Sequence, residues 1–595
     1  MNRLLVIGGA SIDVLHLKDR TVTSAGGAAM YTAMAARRCG VQASLFGPRP
    51  DPCPERLEPV AERFAEWLGP LVPPEKLPAF EISYRHGKTE YLNAFFGAET
   101  ELLPSMLPAD LSDYDHVHVI PLGDVELQLS FVGACRERGA RQISAGTYIG
   151  HVTNQPQAVR AVLRQSDLFF MNGLEVEALF GSLESAHSAP GKVLYVTLGA
   201  EGACILQGDT PTLIPAVPAT ELDPTGAGDT FCGATVAYLL QGQHPIMAAR
   251  RAAALAAEMI GQVGPAALLS EDPPPEVPLD PRVRVNEGQV RRVAEVISTL
   301  PEVAAYPFVS PEVPPVGHPK TLDFFFAATL QQFSFWTVRG NRYHQPLIAR
   351  IGGAELKGSD YLWEAFRRAL ERDAEFCSPQ RQAQLGDEQW RQVFRADNGE
   401  DAMPALELHV QQARSYGQDM LALGLTPQAV LDMALSSPEP LLTFMILLDT
   451  IGGYKEDPLR KKSGLLALIL NQRPERFLPL REDEEVAPVI DYHALRSSLR
   501  VGLIDVLDDD LRSKLLNREI VSAEEEWAVR YAAYRAEEAV VALSGKSTGA
   551  VDHFFFSARR RCPEMTEPEC NVCPVDAVCA HRKGLFQPVL RTTFY

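Results

Sequence analysis

The chain has 595 residues, 46% of them hydrophobic and 22% charged, and a formal net charge of −20. That length exceeds what one hydrophobic core serves, so two or more domains of ordinary soluble composition are expected. The acidic balance argues against a diffuse grip on a polyanion, which makes nucleic acid an unfavoured partner. No apolar run reaches the ~20 residues of a membrane span. The chain enters a strand at once without a signal peptide, and a cytoplasmic location is the expectation.

In chain order, Leu4-Leu-Val-Ile-Gly-Gly-Ala-Ser-Ile-Asp13 reads as an opening strand with Asp13 at its end. A di-glycine segment follows, Ser24-Ala-Gly26-Gly27-Ala-Ala-Met-Tyr31, and Tyr84–Phe96 alternates polar and apolar residues as a small β lid would. Next come Asn172-Gly-Leu-Glu175 and Val196-Thr197-Leu-Gly199-Ala-Glu-Gly202. The sharpest signal is Asp223-Pro-Thr-Gly226-Ala227-Gly228-Asp229, ahead of a small, apolar helix over Thr230–Gln241. Two glycines flanking a small residue let backbone N–H groups converge at a helix start, where a phosphoryl group can be cradled. A carboxylate there, Asp229, can take the proton from an attacking hydroxyl. An ordinary Gly-rich turn capped by Asp would carry the same residues.

Those segments, in that order over residues 1–270, resemble the PfkB/ribokinase family of sugar and nucleoside kinases. The resemblance implies a three-layer α/β, ribokinase-like domain that uses ATP and Mg²⁺. It assigns catalysis to Asp229 and acceptor hydroxyls to Asp13, Gly26 and Gly27. The nucleotide, phosphates and Mg²⁺ fall to Asn172, Glu175, Thr197, Gly199, Gly226, Ala227 and Gly228. Tyr31 departs from the family, many of whose members carry Asn there, and implies a different sugar pocket.

Five prolines among residues 271–281 break any helix or central strand, so 271–284 is read as an extended linker. Beyond it the apolar spacing turns to 3.6 in segments such as Gly288–Leu300, Thr321–Phe335, Tyr492–Leu507 and Ala523–Leu543. Residues 285–595 are expected to form an all-α domain.

Several stretches of that half resemble the queuosine salvage protein family, nucleosidases that release queuine from queuosine 5′-phosphate and share architecture with helical DNA glycosylases. They are Val285 to Val296, Phe333-Ser-Phe-Trp336, Lys357-Gly-Ser-Asp-Tyr361, Val489-Ile-Asp491-Tyr492, Ser522 to Arg530, Val551-Asp552-His553 and Arg591-Thr-Thr-Phe-Tyr595. The resemblance implies that Asp491 acts on the glycosidic bond and that Asp552, His553 and His318 contact base or ribose, with Ser557 where a second Asp is common. A buried carboxylate suits a reaction that builds positive charge on the sugar. By spacing alone Asp491 is equally a helix N-cap. Phe324–Phe326 and Phe333–Trp336 could stack on a base, although most such rings belong to cores. Arg460, Lys461, Lys462, Arg496 and Arg500 are phosphate candidates or a solvated face.

Cys562, Cys570, Cys573 and Cys579 crowd into residues 562–579 with C-x7-C-x2-C-x5-C spacing, which without a secretory signal points to metal rather than disulfides. The spacing resembles the [4Fe–4S] loop of endonuclease III-type glycosylases, with one residue different in the first gap. A [4Fe–4S] cluster is favoured over zinc, which four thiolates also serve. The two halves together imply a nucleoside phosphorylated at its 5′-hydroxyl with ATP and then stripped of its base. The rivals are a kinase fused to a sensor domain or to a DNA-repair glycosylase. A homodimer is compatible with the sequence.

Overall fold

The structure is a computed structural model that describes residues 2–85, 88–301 and 306–595, with the side chains of Arg85, Lys88 and Thr89 left aside. The tip of the lid expected at 84–96, residues 86–87, therefore lies outside the described residues. The chain divides into two compact units, Met1–Pro278 and Leu279–Tyr595.

In the first unit, the apolar run Leu4-Leu-Val-Ile7 is buried on both faces, as a strand inside a parallel sheet must be, and so is His116–Val119, whose two histidines share the Ser144 hydroxyl. They belong to a nine-stranded sheet. Its spatial order is Thr210–Ile214, Ala203–Gln207, Val193–Thr197, Leu168–Asn172, Ile143–Gly146, His116–Val119, Arg3–Ile7, Gln42–Phe46, Trp67–Leu68. The pairings from Trp67–Leu68 through Val193–Thr197 are parallel, and the last two are antiparallel. Helices Ala28–Arg38, Ala227–Leu240 and Pro245–Ile260 pack together, and Val125–Glu137 packs with Pro156–Gln165. Sheet and helices enclose one continuous core.

The opening segment is not one strand. Arg3–Ile7 ends at Gly8, whose φ of 146° is open to glycine and whose added Cβ would lie 2.3 Å from Ile120. The chain then turns into Ser11–His16, part of a separate four-stranded sheet ordered Thr21–Gly26, Ser11–His16, Ala79–Arg85, Lys88–Phe95. Asp13 thus sits mid-strand in that smaller sheet, opposite Ser24, and not at the end of the opening strand.

The proline segment is shared out rather than left as a spacer. Arg63 and Arg37 pair with Glu271, and Arg38 donates to the carbonyls of Asp272 and Pro273. Val283–Val285 pairs antiparallel with Ile504–Val506 in the second unit.

That second unit is helical; among the described residues it has two large apolar cores, a small cluster of Trp336, Phe586 and Val589, and three small two-stranded pairs. The helix expected over Thr321–Phe335 stops at Thr329, and Trp336–Arg339 is a strand after Ser334 at φ 54°. Ala523–Ser544 starts at a reciprocal Ser522/Glu525 cap. Among the described residues no helix is long and apolar enough to cross a membrane.

Candidate active sites

In the first unit, Gly226 caps the Ala227–Leu240 helix with φ 76°, and an added Cβ would lie 2.4 Å from the Tyr31 ring. Only glycine fits both the left-handed backbone and the aromatic neighbour. Ala227 N closes the turn onto Pro224 O at 3.2 Å, so the helix-start donors open to an anion are those of Gly228 and Asp229. Asp229, in the first turn, is half-buried, and its low-dielectric surroundings push its carboxyl up to about 6.

Asp13 is buried, and burial with the nearby Asp223 charge raises it to about 6, although the Phe80 N–H (3.2 Å) donates to it. Gly26 and Gly27 leave the room this needs. A Cβ on Gly26 would lie 1.9 Å from Asp13 Oδ2, and one on Gly27 would lie 2.6 Å from Gly9 O. Asp223 organises the turn from below, accepting from Thr225 N (3.0 Å), Thr225 Oγ1 (2.5 Å) and Gly264 N (2.7 Å). The Tyr31 hydroxyl is buried without a hydrogen-bond partner, and burial with the charges of Asp223, Asp13 and Asp229 holds its proton firmly. Sequence reasoning passed over Glu99, a buried carboxyl that accepts from Gly9 N at 2.6 Å and is pushed by burial up to about 7. It lies in no motif.

Asn172 and Thr197 end adjacent parallel strands in register, at the carboxyl edge where α/β sheets bind ligands. Asn172 Oδ1 accepts from Glu175 N (3.0 Å), while Glu175 Oε2 and Oε1 accept from Asn172 N and Nδ2, each at 2.8 Å. Burial pushes Glu175 up to about 7, with the Asp229 charge contributing, so these two carboxylates share one neighbourhood. Gly199, at φ 59°, opens the turn after the Thr197 strand. A cavity of about 490 Å³ lies along Val217–Leu222 and Ala254–Gly261.

In the second unit, Asp491 caps Tyr492–Val501, its Oδ1 accepting from His493 N (2.8 Å) and Ala494 N (2.9 Å). Capping leaves Oδ2 available. Asp552 stands close enough for the Asp491 charge to act on it, and burial together with that charge pushes it up to about 8. Two further groups stand near them: Glu537, which no sequence motif marked, and Lys461, one of the phosphate candidates. Glu537 is fully buried, with Oε1 accepting from Ser498 Oγ at 2.9 Å and Oε2 unpaired, and burial raises it well above the usual carboxylate range. Lys461 is buried, donates to Gln332 O at 2.9 Å, and is pulled by burial down to about 8 against the charges of Asp491, Asp457 and Asp552.

The other candidates are mostly committed elsewhere. Lys462 points inward to Leu330 O (3.1 Å) and Arg460 pairs with Asp449, so this run is not a solvated face. Arg496 is held by Gln587, His493 and Glu564, and Arg500 by Leu585, Cys562 and Pro563; neither is a free phosphate ligand. Phe324, Phe325, Phe326, Phe333, Phe335 and Trp336 are all core, with Phe333 stacked on His409 at 4.3 Å. His318 turns its Nδ1 onto Lys320 N (3.2 Å). His553 is half-buried, and burial with the charges of Arg560, Arg561 and Arg559 lowers its pKa. Ser557 donates to Phe554 O within its own helix.

Cys562, Cys570, Cys573 and Cys579 line one cavity of about 40 Å³, with Ser497, Arg500, Phe554 and Phe555 around it. Burial and the three neighbouring sulfurs raise the Cys579 thiol. Arg500 Nη1 donates to Cys562 Sγ and His581 N to Cys579 Sγ, each at 3.3 Å, the kind of N–H···S support that tunes ligating sulfurs. At the rim, one ligand atom each of Cys570, Asp576 and His581 lie within 4.8 Å of one another.

Residues 131–272 match the model of the pfkB family carbohydrate kinases, and residues 313–452 match that of the queuosine salvage protein. A cytidine kinase of Thermococcus kodakarensis is 24% identical over 250 residues, which is 40% of this chain and 89% of that protein. A ribokinase of Lactococcus lactis is 33% identical over 147 residues, 23% of this chain and 46% of that protein. Among solved structures, an aminoimidazole riboside kinase from Salmonella enterica has 18% identity and a TM-score of 0.38, and a ribokinase from Cryptococcus neoformans var. grubii serotype A has 20% and 0.39. Each comparison covers 45% of this chain and 97% of the other. A PfkB carbohydrate kinase domain and a queuosine salvage protein domain therefore occur in one chain.

Proposed function

We propose that the chain is a bifunctional nucleoside-salvage enzyme, which phosphorylates the 5′-hydroxyl of queuosine or a related 7-deazaguanine nucleoside and then hydrolyses the N-glycosidic bond of the 5′-phosphate. The observation that carries this reading is the pairing of the two family matches with two carboxylate-bearing sites, around Asp229 and around Asp491.

In the first step Asp229 accepts the proton of the 5′-hydroxyl as its oxygen attacks the γ-phosphorus of ATP, and ADP leaves. The amides of Gly228 and Asp229 meet the charge of the transferring group at the helix start. Asp13, beside Gly26 and Gly27, accepts from sugar hydroxyls. The 490 Å³ cavity suits the adenosine of ATP. Mg²⁺ neutralises phosphate charge in such transfers, and Glu175, oriented by Asn172 and neighbouring Asp229, is the residue fit to hold it. Thr197 and Gly199 border the phosphates from the adjacent strand end.

In the second step the C1′–N bond breaks, its electron pair leaves with the base, water adds to C1′, and the proton that water loses passes by way of Asp491 and solvent to the base nitrogen. Asp491 stabilises the positive sugar and takes the proton of the water. Asp552, protonated near neutral pH, donates a hydrogen bond to the base, and Lys461 meets the 5′-phosphate. His553 and His318 flank the base or ribose in this reading. The four cysteines hold a metal centre. They line one shared cavity, and in this reading they hold a [4Fe–4S] cluster, with zinc the alternative that four thiolates also serve.

The test supplies the nucleoside 5′-phosphate directly, without ATP. Release of free base and ribose 5-phosphate is expected. No release with an intact kinase reaction would overturn the nucleosidase half and favour a sensor domain.

A further inference from the structure

The two helices that carry the carboxylates of the second site run from those carboxylates to the four-cysteine loop. Tyr492–Val501 has Asp491 at its N-cap and Arg500 in its last turn. Thr548–Arg561 has Asp552 in its second turn and ends on Cys562 as its C-cap. At 1.5 Å per residue each carboxylate-bearing residue lies roughly 15 Å along the axis from the far end of its helix.

Their far ends are joined through that loop and its neighbours. Arg500 donates to Cys562 Sγ at 3.3 Å, to Pro563 O at 2.8 Å and to Leu585 O at 2.9 Å. In return, Ala580 N and Arg582 N donate to Val501 O and Arg500 O, each at 3.0 Å. Gln289 Nε2 bridges Val501 O (2.8 Å) and Val578 O (2.6 Å). Between the helices, Ser497 Oγ donates to Phe555 O at 3.3 Å. Glu564 pairs with Arg496 at 3.5 Å and with Lys357, which ties the start of the loop to the first of these helices and to the strand Ala354–Lys357. The loop itself has only two single turns of 3-10 helix, Cys570–Val572 and Asp576–Val578, so most of its order has to come from its ligands.

We propose that the four-cysteine loop is a positioning staple for the base-releasing site: metal held by Cys562, Cys570, Cys573 and Cys579 locks the far ends of both helices, and Arg500 passes that constraint to Asp491 and Asp552. The inference rests on the reading that the four thiols bind a metal centre. Ligation releases the thiol protons, and no other bond is made or broken. Arg500 is a positioning residue, since it touches a ligand sulfur and not the substrate.

The test uses the full chain purified without oxygen, with iron, zinc and acid-labile sulfide measured. Amide hydrogen exchange is followed in residues 492–501 and 548–561, base release is resolved into kcat and KM, and the kinase rate on the same sample serves as the folding control. In Cys573→Ser we expect loss of metal, faster exchange in both helices together, and a fall of about tenfold or more in the kcat of base release, with KM moving less. Arg500→Lys should retain metal and yet loosen both helices and lower kcat. If Cys573→Ser loses protection throughout the second unit, Arg500→Lys decides. Unchanged exchange and kcat in a metal-depleted chain, or in Arg500→Lys after such unfolding, would overturn the staple. A wild-type chain containing neither iron nor zinc would overturn the metal reading itself, and the staple with it.

Discussion

The hydroxyl of Tyr84, on the hairpin of the smaller sheet, is hydrogen-bonded to the hydroxyl of Thr225, in the turn that presents Asp229. Thr225 passes the link on to Asp223, which in turn holds Gly264 N. A side chain of the lid is thereby fastened to the phosphoryl-transfer turn. Tyr84→Phe should raise the nucleoside KM of the kinase several-fold, change kcat less, and lower stability by about 1 kcal/mol. Steady-state kinetics and denaturant melts check both.

Asp229→Asn should lower phosphoryl transfer by roughly 10²–10⁴ while base release from supplied nucleoside 5′-phosphate continues. Because the wild-type carboxyl titrates at about 6, kinase kcat/KM should fall as pH drops through 6. The folded pKa lies above the unfolded value, so the carboxyl costs the folded state stability as pH rises through 6. At pH 7 the Asn variant should melt no lower than wild type.

Asp552 carries the opposite requirement. Its proton, held to about 8, is needed for donation to the base, so base release should decline as pH rises through 8. The raised pKa contributes stability that is full below the ordinary carboxylate range and lost as pH rises through 8. Asp552→Asn, an amide donor at every pH, should flatten the alkaline limb of the rate profile.

At Asp491 two roles can be separated. Asn caps a helix about as well as Asp, whereas Ala forfeits roughly 1 kcal/mol. Asp491→Asn should keep the melting temperature and lose base release, and Asp491→Ala should lose both. Base release surviving in the Asn variant would reduce Asp491 to a cap.

The features legible in the sequence are those whose physical requirement is local. The Gly226 turn needs left-handed backbone at one residue, and the Asn172/Glu175 pair is a contact between residues three apart. The glycine that breaks the opening strand was written there too, but its reason, Ile120 against Gly8, lies more than a hundred residues away. Lys461 and Lys462 read as phosphate candidates or a solvated face, and the second reading fails because they follow Arg460 at φ 53° and turn to carbonyls of Gln332 and Leu330. Glu537 stands among the acidic residues of a long helix, and nothing in its own segment marks it as the one facing Ser498. Aromatic runs showed that a flat apolar surface exists and not what it covers, and here they cover one another.

The most direct measurement is a chromatographic assay of the purified chain with Mg²⁺ and a panel of nucleosides including queuosine, with and without ATP. Free base appearing only when ATP is present, after a transient nucleoside 5′-phosphate, is the predicted result. Phosphorylated nucleoside accumulating with no base released, or base released equally without ATP, would contradict the two-step account.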